Sequence, residues 1–392
     1  MLITKTRGAF TLLATLCWSA SAWAQGALNT TVFVQRNSAN RNAVAAFAQD
    51  ASSGELLLVG VYKTGGKGEP SLDGNQSHAL ASRGSILFVT NAGDNTISSF
   101  RIQRDGGLAL LSRTNSRGVR PVSLATKNDV LLVVNQGIKA GKPGAIGGNV
   151  RAFRIGVDGR LSAIAGAVYR FSPKDVPNEV LSNSANGLFT VGRSGSSSAS
   201  TFSLQDDGKI TLAETVRNIS DPLGGAIKSG AESTVILTLP DAATAGVTSL
   251  QMNSSGRTIA RHNYPRPEQK DPCWAAIHPD GVRVWTSAFA TRLLSLYELG
   301  TDGSLSAVSN YSYRSGPGSV DITVDDTGSY LFRLKAFRAP RGEHNIQPIV
   351  EVLATTGQTE DAGLAPVGHY KLPKNWASAA PTGIIAVAPN PI

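Results

Sequence analysis

Cysteine is nearly absent from this 392-residue chain: Cys17 and Cys273 are the only two. A disulfide-stapled scaffold is therefore excluded, and the fold must be held by its core. No apolar run approaches the ~20 residues needed to span a bilayer as a helix, so no membrane span is expected. Charged residues make up 17% of the chain, too few for a disordered polyelectrolyte or a coiled coil. No spacing of His, Cys, Asp and Glu suggests a zinc site, and no calcium-loop pattern occurs. No Gly-x-Ser-x-Gly elbow is present either. Gly192-Arg193-Ser194-Gly195-Ser196 has only a superficial likeness and reads as a hairpin loop. Neither a metal nor a cofactor is expected.

Acids are the minority charge, at 28 against 37 Lys and Arg, for a net +9. The first residues carry a secretory pattern. Lys5 and Arg7 precede a short apolar run, Ala9 to Trp18, and Ala22-Trp23-Ala24 is a small-x-small cleavage site. Residues 1–24 thus read as a signal peptide and 25–392 as one domain. Removing Lys5 and Arg7 lowers the net charge to +7. Export and scattered basic residues disfavour nucleic acid as a partner. An extracellular or periplasmic location is expected, cell-wall association included, and the chain reads as a monomer. With Cys17 gone, Cys273 stands alone, open to reading as a nucleophile or as a small buried residue.

The stretch Asp271 to Leu305 sets the repeat. Pro272 opens an apolar run, Pro279-Asp280-Gly281 is a turn, and runs follow at Val282, Leu293 and Leu305, the last after Asp302-Gly303. Four short strands separated by turn residues make one up-and-down sheet. The second strand recurs at Val32, Ile86, Val130, Leu188, Val235, Val282 and Tyr330, at offsets of 54, 44, 58, 47, 47 and 48 residues. Seven copies near fifty residues indicate a propeller. First strands follow Pro121, Pro177, Pro222, Pro272, Pro317 and Pro381, with Gln76 in that place in the second copy. The first copy lacks a first strand, and the run Gly383 to Val387 lacks successors. The fold class is therefore all-β, a seven-bladed β-propeller of four-stranded antiparallel blades, closed by the C-terminal strand.

In such a ring, first strands line the central channel, and two kinds of loop share one face. The loops on that face read as a basic rim, including Arg120, Lys139, Lys142, Arg193, Arg292 and Arg314. Turn acids such as Asp105, Asp207 and Asp302 collect on the other face. A positive rim concentrates anions, and arginine forks suit carboxylate or phosphate. It also reads as an ordinary solvated surface. By register, His78, Glu179 and Trp274 stand nearest the channel, each two places after its first-strand marker, and Arg120 directly precedes Pro121. His78 and Glu179 suit a base and acid pair, and Trp274 suits stacking on a ring. The alternatives are a hydrogen-bonded strand histidine and a channel plug.

The stretches NAVAAFAQDASSGELLLVGVYKTGGKG, NQSHALASRGSILFVTNAGDNTISSFRIQRDGGL, RPVSLATKNDVLLVVNQG, GGNVRAFRIGVDGRL and DPCWAAIHPDG resemble the seven-bladed β-propeller lactonase family. This is the secreted, carboxymuconate-cyclase-like and 6-phosphogluconolactonase-like group. The resemblance implies opening or closing of lactones on anionic substrates, with His, Arg and Glu on the channel face. Catalytic relatives often carry Pro-His where this chain has Pro177-Asn178-Glu179. The expected function is a secreted lactonase (hydrolase) or lactonizing cyclase (isomerase). Its substrate would be a small anionic lactone or unsaturated acid, with His78 and Glu179 catalytic and Arg120, Arg193, Trp274, Arg292 and Arg314 binding it. The alternative is a non-catalytic propeller serving as a ligand- or protein-binding platform.

Overall fold

Turn residues cut the chain into strands of four to ten residues. The computed structural model describes residues 30–70, 78–241, 243–312, 318–336 and 346–388. Within them lie seven antiparallel sheets of four strands each. Blade one consists of Thr382–Val387, Thr31–Gln35, Ala43–Gln49 and Leu56–Lys63. Blade two runs from Leu80–Arg83 to Leu108–Asn115, and blade three from Pro121–Lys127 to Leu161–Arg170. Blade four begins with Pro177–Ser182, blade five with Gly225–Lys228, blade six with Pro272–Ile277 and blade seven with Ser319–Val324. The second strands fall where the repeat placed them. No helix among the described residues is long and apolar enough to cross a membrane.

A bulge recurs between the third and fourth strands. The register shifts at Phe47, Phe100 and Phe202, and at Tyr297 in blade six. Each of these rings is buried. A bulge strengthens the local twist, and the aromatic beside it fills the space between twisted blades. The cores accordingly lie between sheets. Phe33, Val44 and Ala46 of blade one pack with Leu87, Val89 and Phe100 of blade two.

First strands touch their neighbours all the way round. Hydrogen bonds tie them across blades. Leu124 N–H donates to the His78 carbonyl (2.9 Å), Val180 N–H to Ser123 Oγ (3.1 Å), and Ile384 N–H to Asp321 Oδ2 (3.0 Å). The last joins blade seven to the strand that closes blade one. That strand pairs Phe33 with Ile385 and Thr31 with Val387, so the ends of the chain share one sheet and the second strand of blade one has no open edge. Gly383 allows the close approach: a Cβ there would sit 3.1 Å from that of Ala79 in blade two.

Closure should dominate stability. Ile384→Ala should cost about 2–5 kcal/mol, because the side chain is 94% buried against blade seven. Deleting residues 381–392 should abolish cooperative melting and give aggregated protein. A soluble truncation with an unchanged melting temperature would show that the ring does not need this strand.

Candidate functional site

The same backbone event happens at the start of four successive first strands. Arg120, Val176, Asp221 and Asp271 each precede a proline and each has a left-handed backbone, with φ of 61°, 46°, 42° and 63°. The right-handed region is disfavoured before proline, and the left-handed region is strained for a branched residue such as Val176. All four side chains line one cavity of about 900 Å³ at the channel mouth. The loop between the second and third strands of blade three adds Lys139 and Lys142, and blade six adds Cys273 and Trp274.

The mouth is not the basic rim that the sequence suggests. Its lining has three cations, Arg120, Lys139 and Lys142, and four carboxylates, Glu69, Asp221, Asp241 and Asp271. Arg120 Nε lies 3.2 Å from Glu69 Oε2. Burial raises the Asp221 carboxyl, and the nearby Asp241 and Asp271 charges raise it further, against a lowering by Lys139. Burial likewise raises Asp271. These acids were missed because the turn acids drew attention to the opposite face, whereas Asp221 and Asp271 sit in the pre-proline position.

Cys273 is buried, and its thiol donates to Asp271 Oδ1 (3.2 Å). Burial and then the Asp271 charge push the thiol well above its ordinary range. It stays protonated, which favours the small buried residue over the nucleophile.

Of the expected arginines within the described residues, only Arg120 lines the cavity. Arg193 ends the second strand of blade four and turns outward between blades. There Nη1 meets Asp175 Oδ1 at 2.8 Å and the guanidinium lies 5.7 Å from the Phe171 ring centroid. Arg292 occupies a turn in blade six at φ 60°, within electrostatic reach of Lys335 in blade seven, and is not among the cavity's lining residues. Arg314 lies outside the described residues.

His78 and Glu179 do come together, across the ring from blades two and four: His78 Nδ1 is hydrogen-bonded to Glu179 Oε1. The register differs from expectation. Thr90 N–H donates to the Ala79 carbonyl and Leu80 pairs with Val89, so Ala79 holds the place that Glu179 holds in blade four, where Glu179 pairs with Gly192. His78 stands one residue earlier, and its φ of 55° turns the ring into the channel. Glu179 is 1% exposed, whereas 42% of the His78 side chain is accessible. Glu179 of blade four and Asp321 of blade seven both act on that ring, which places it in the channel. Trp274 takes the Glu179 position in blade six, pairing with Ser287, and also lines the cavity. His78 and Glu179 themselves are not among the cavity's lining residues; Trp274 is the lining residue that shares their strand level.

Asp321 is a third channel group, and it takes the Glu179 position in blade seven, pairing with Leu334. Its Oδ1 accepts from its neighbour Ile322 N–H (2.9 Å) and its Oδ2 from Ile384 N–H. Burial pushes the carboxyl up to about 7, against the lowering by His78 and the two backbone donors, and the Glu179 charge adds to the rise. For His78, burial lowers the pKa, but the Glu179 charge and hydrogen bond, with the Asp321 charge, outweigh it and the net shift is upward. His78 and Asp321 therefore each shift the other's titration. Among the described residues, no group of three or more His, Cys, Asp or Glu side chains is placed to hold a metal ion.

No protein-family model matches the chain, and no curated protein sequence does. Solved structures match along its length. The periplasmic gluconolactonase of Pseudomonas aeruginosa superposes with a TM-score of 0.69 at 16% identity, over 92% of this chain and 99% of that one. A candidate 6-phosphogluconolactonase of Bacteroides fragilis gives 0.66 at 18% identity, over 92% and 98%. Another from Bacteroides uniformis gives 0.69 at 14%, over 92% and 100%. At these identities the likeness is one of fold: this chain has the propeller fold of these lactonase-named proteins.

The channel set makes stability depend on pH in a particular sense. Asp321 binds its proton more tightly folded than unfolded, so its contribution is complete below pH ~4 and is lost as the pH rises through about 7. His78, also raised, loses its contribution above its ordinary value near 6.5. Asp280, lowered to about 2, acts oppositely but only in more acidic solution. Melting temperature should therefore fall from pH 5 to pH 8, by about 1 kcal/mol of stability per pH unit below 7. Asp321→Asn should flatten this slope. A curve of unchanged slope in the variant would remove Asp321 from the account.

Proposed function

We propose that this chain hydrolyses a lactone at the channel mouth, with His78 as the general base and Glu179 as the group that orients it. One observation carries this reading. A histidine and a glutamate, distant in sequence and on different blades, are hydrogen-bonded in the channel, and Trp274, at the Glu179 position of blade six, lines a cavity large enough for a small substrate. Glu179 accepts from Nδ1–H, which leaves the Nε2 lone pair for a proton. Neutral His78 would take a proton from water as the water oxygen attacks the lactone carbonyl carbon. The resulting imidazolium, stabilised by Glu179, would return that proton to the ring oxygen as its bond to carbon breaks. One water is consumed and an open-chain hydroxy acid leaves. A lactonizing cyclase needs a different step: a carboxylate oxygen of the unsaturated acid adds to one carbon of the C=C bond and the neighbouring carbon takes a proton, with no water consumed.

An anionic substituent on the substrate would meet Lys139 and Lys142. Their loop projects over the mouth and rests on blade four through an Ala140 N–H to Pro173 carbonyl bond of 2.9 Å. Trp274 would pack against the ring, and Arg120 would face the carbonyl side. Export to the periplasm or beyond belongs to this reading, supported by the leader sequence and by the fold shared with a periplasmic gluconolactonase.

Proton release across a panel of sugar and aliphatic lactones tests it. His78→Ala should lower kcat/KM by roughly 10²–10⁴. Glu179→Gln should lower it less and shift the acid limb of the pH profile to lower pH, because the His78 imidazolium loses its stabilising charge. A panel that stays flat for the native chain ends the hydrolase reading. If those lactones nevertheless bind tightly, the ring is a binding platform.

A further inference from the structure

A second cavity, of about 390 Å³, lies at the outer rim between blades one and two. Its lining carries Arg41, Lys63, Lys67 and Arg113 and a single carboxylate, Asp94. Arg113 Nη1 donates to the Gly65 carbonyl (2.8 Å) and lies 3.4 Å from Asp94 Oδ2. The Lys67 backbone N–H donates to the same oxygen (3.1 Å). Asp94 thus shapes the wall without balancing it, since four cations face one acid. Among the described residues, four basic side chains gather here, against three at the channel mouth.

The strands that bring these cations also carry exposed apolar side chains. Lys63 ends the outer strand of blade one, on which Leu57, Leu58 and Val61 are 50%, 44% and 43% exposed. Arg113 lies on the outer strand of blade two, on which Leu110 is 49% exposed. These make four of the nine large apolar side chains exposed among the described residues, gathered on two adjacent edges. The edges meet: a Cβ on Gly65 would be 3.8 Å from Leu110 Cδ2. No charge or proline interrupts Leu56–Tyr62, although sheet edges exposed to water usually carry such a guard.

We propose that this edge docks on an anionic lipid bilayer, with headgroup phosphates in the basic cavity and Leu57, Leu58, Val61 and Leu110 entering the interface. Cations above an apolar strip suit that boundary, because phosphate takes the former and acyl chains the latter. The lysine stems extend the apolar surface while their ammonium groups stay among phosphates. A dissolved anion would use the cavity but leave the strip in water, and a second copy would set four cations against four. The lipid surface accounts for both halves. The outer rim would face the membrane edge-on, leaving the channel mouth open.

Flotation with vesicles of phosphatidylcholine alone, and of phosphatidylcholine and phosphatidylglycerol in equal parts, tests this. The chain should float only with the anionic vesicles, and less so as salt rises. Lys63→Gln combined with Lys67→Gln should weaken partitioning about 25-fold, at about five-fold per charge. Leu57→Ser combined with Val61→Ser should weaken it while leaving the salt dependence unchanged. Lys209→Glu, in a turn on the opposite face, should not matter. Equal binding to both vesicle types, or no binding, overturns the proposal, as does insensitivity to either pair of variants. If inorganic phosphate raises the melting temperature while vesicles are ignored, the cavity is a soluble-anion site and the proposal falls. If the chain instead self-associates through a contact that Leu57→Ser with Val61→Ser abolishes, the edge belongs to a second copy and the proposal falls equally.

Discussion

A four-stranded sheet with two apolar faces cannot stand alone in water, and everything in this molecule follows from how that is resolved. Each blade covers one face of its neighbour, and only a closed ring covers all of them. Closure is made by Thr382–Val387 beside Thr31–Gln35, so the local sheets become stable through a contact between the two ends of the chain. The inner strands then crowd together, and they bond across blades through the His78 carbonyl, Ser123 and Asp321. The groups that fasten the ring are therefore next to, or the same as, the groups exposed in its channel.

That overlap explains the chemistry available there. A carboxylate on the outer surface would be held by water. Asp321 is held instead by the backbone N–H of the closing strand, in a place water scarcely reaches, and its proton affinity rises accordingly. Glu179 faces His78 under the same conditions. A polar pair enclosed by protein keeps its geometry because neither partner can exchange the other freely for solvent. The scaffold holds this pair in place and concentrates the like charges of Glu179 and Asp321 near the axis.

Most of the architecture was legible because it rests on local signals repeated seven times. Asp-Gly turns, alternating runs and pre-strand prolines each mark a strand end independently. The site was legible only in part. His78 and Glu179 were found by counting from a first-strand marker, and the count erred by one in blade two. No proline marks that strand, and a left-handed residue absorbs the difference. Asp321 was missed because it lies four residues after Pro317, whereas Glu179 and Trp274 lie two after Pro177 and Pro272. Counting back nine residues from the start of the second strand reaches Glu179, Trp274 and Asp321 alike. Arg193 and Arg292 misled because a loop assignment fixes which face a residue lies on, not whether its side chain turns inward or between blades.

The left-handed residues before the first strands have a consequence for how such rings diversify. Arg120, Val176, Asp221 and Asp271 occupy the same backbone position in successive blades yet differ in charge and size. Their geometry is imposed by the blade and the proline that follows, not by their own side chains. Each position can therefore change identity without changing the backbone, so the mouth behaves as a row of letters on a fixed line, although their charges act on one another. The strain of about 1–3 kcal/mol that such a conformation imposes on an ordinary residue would vanish with glycine. Drift towards stability alone would thus erase the letters one by one. Carrying side chains at all four positions therefore costs the ring stability that glycine would return.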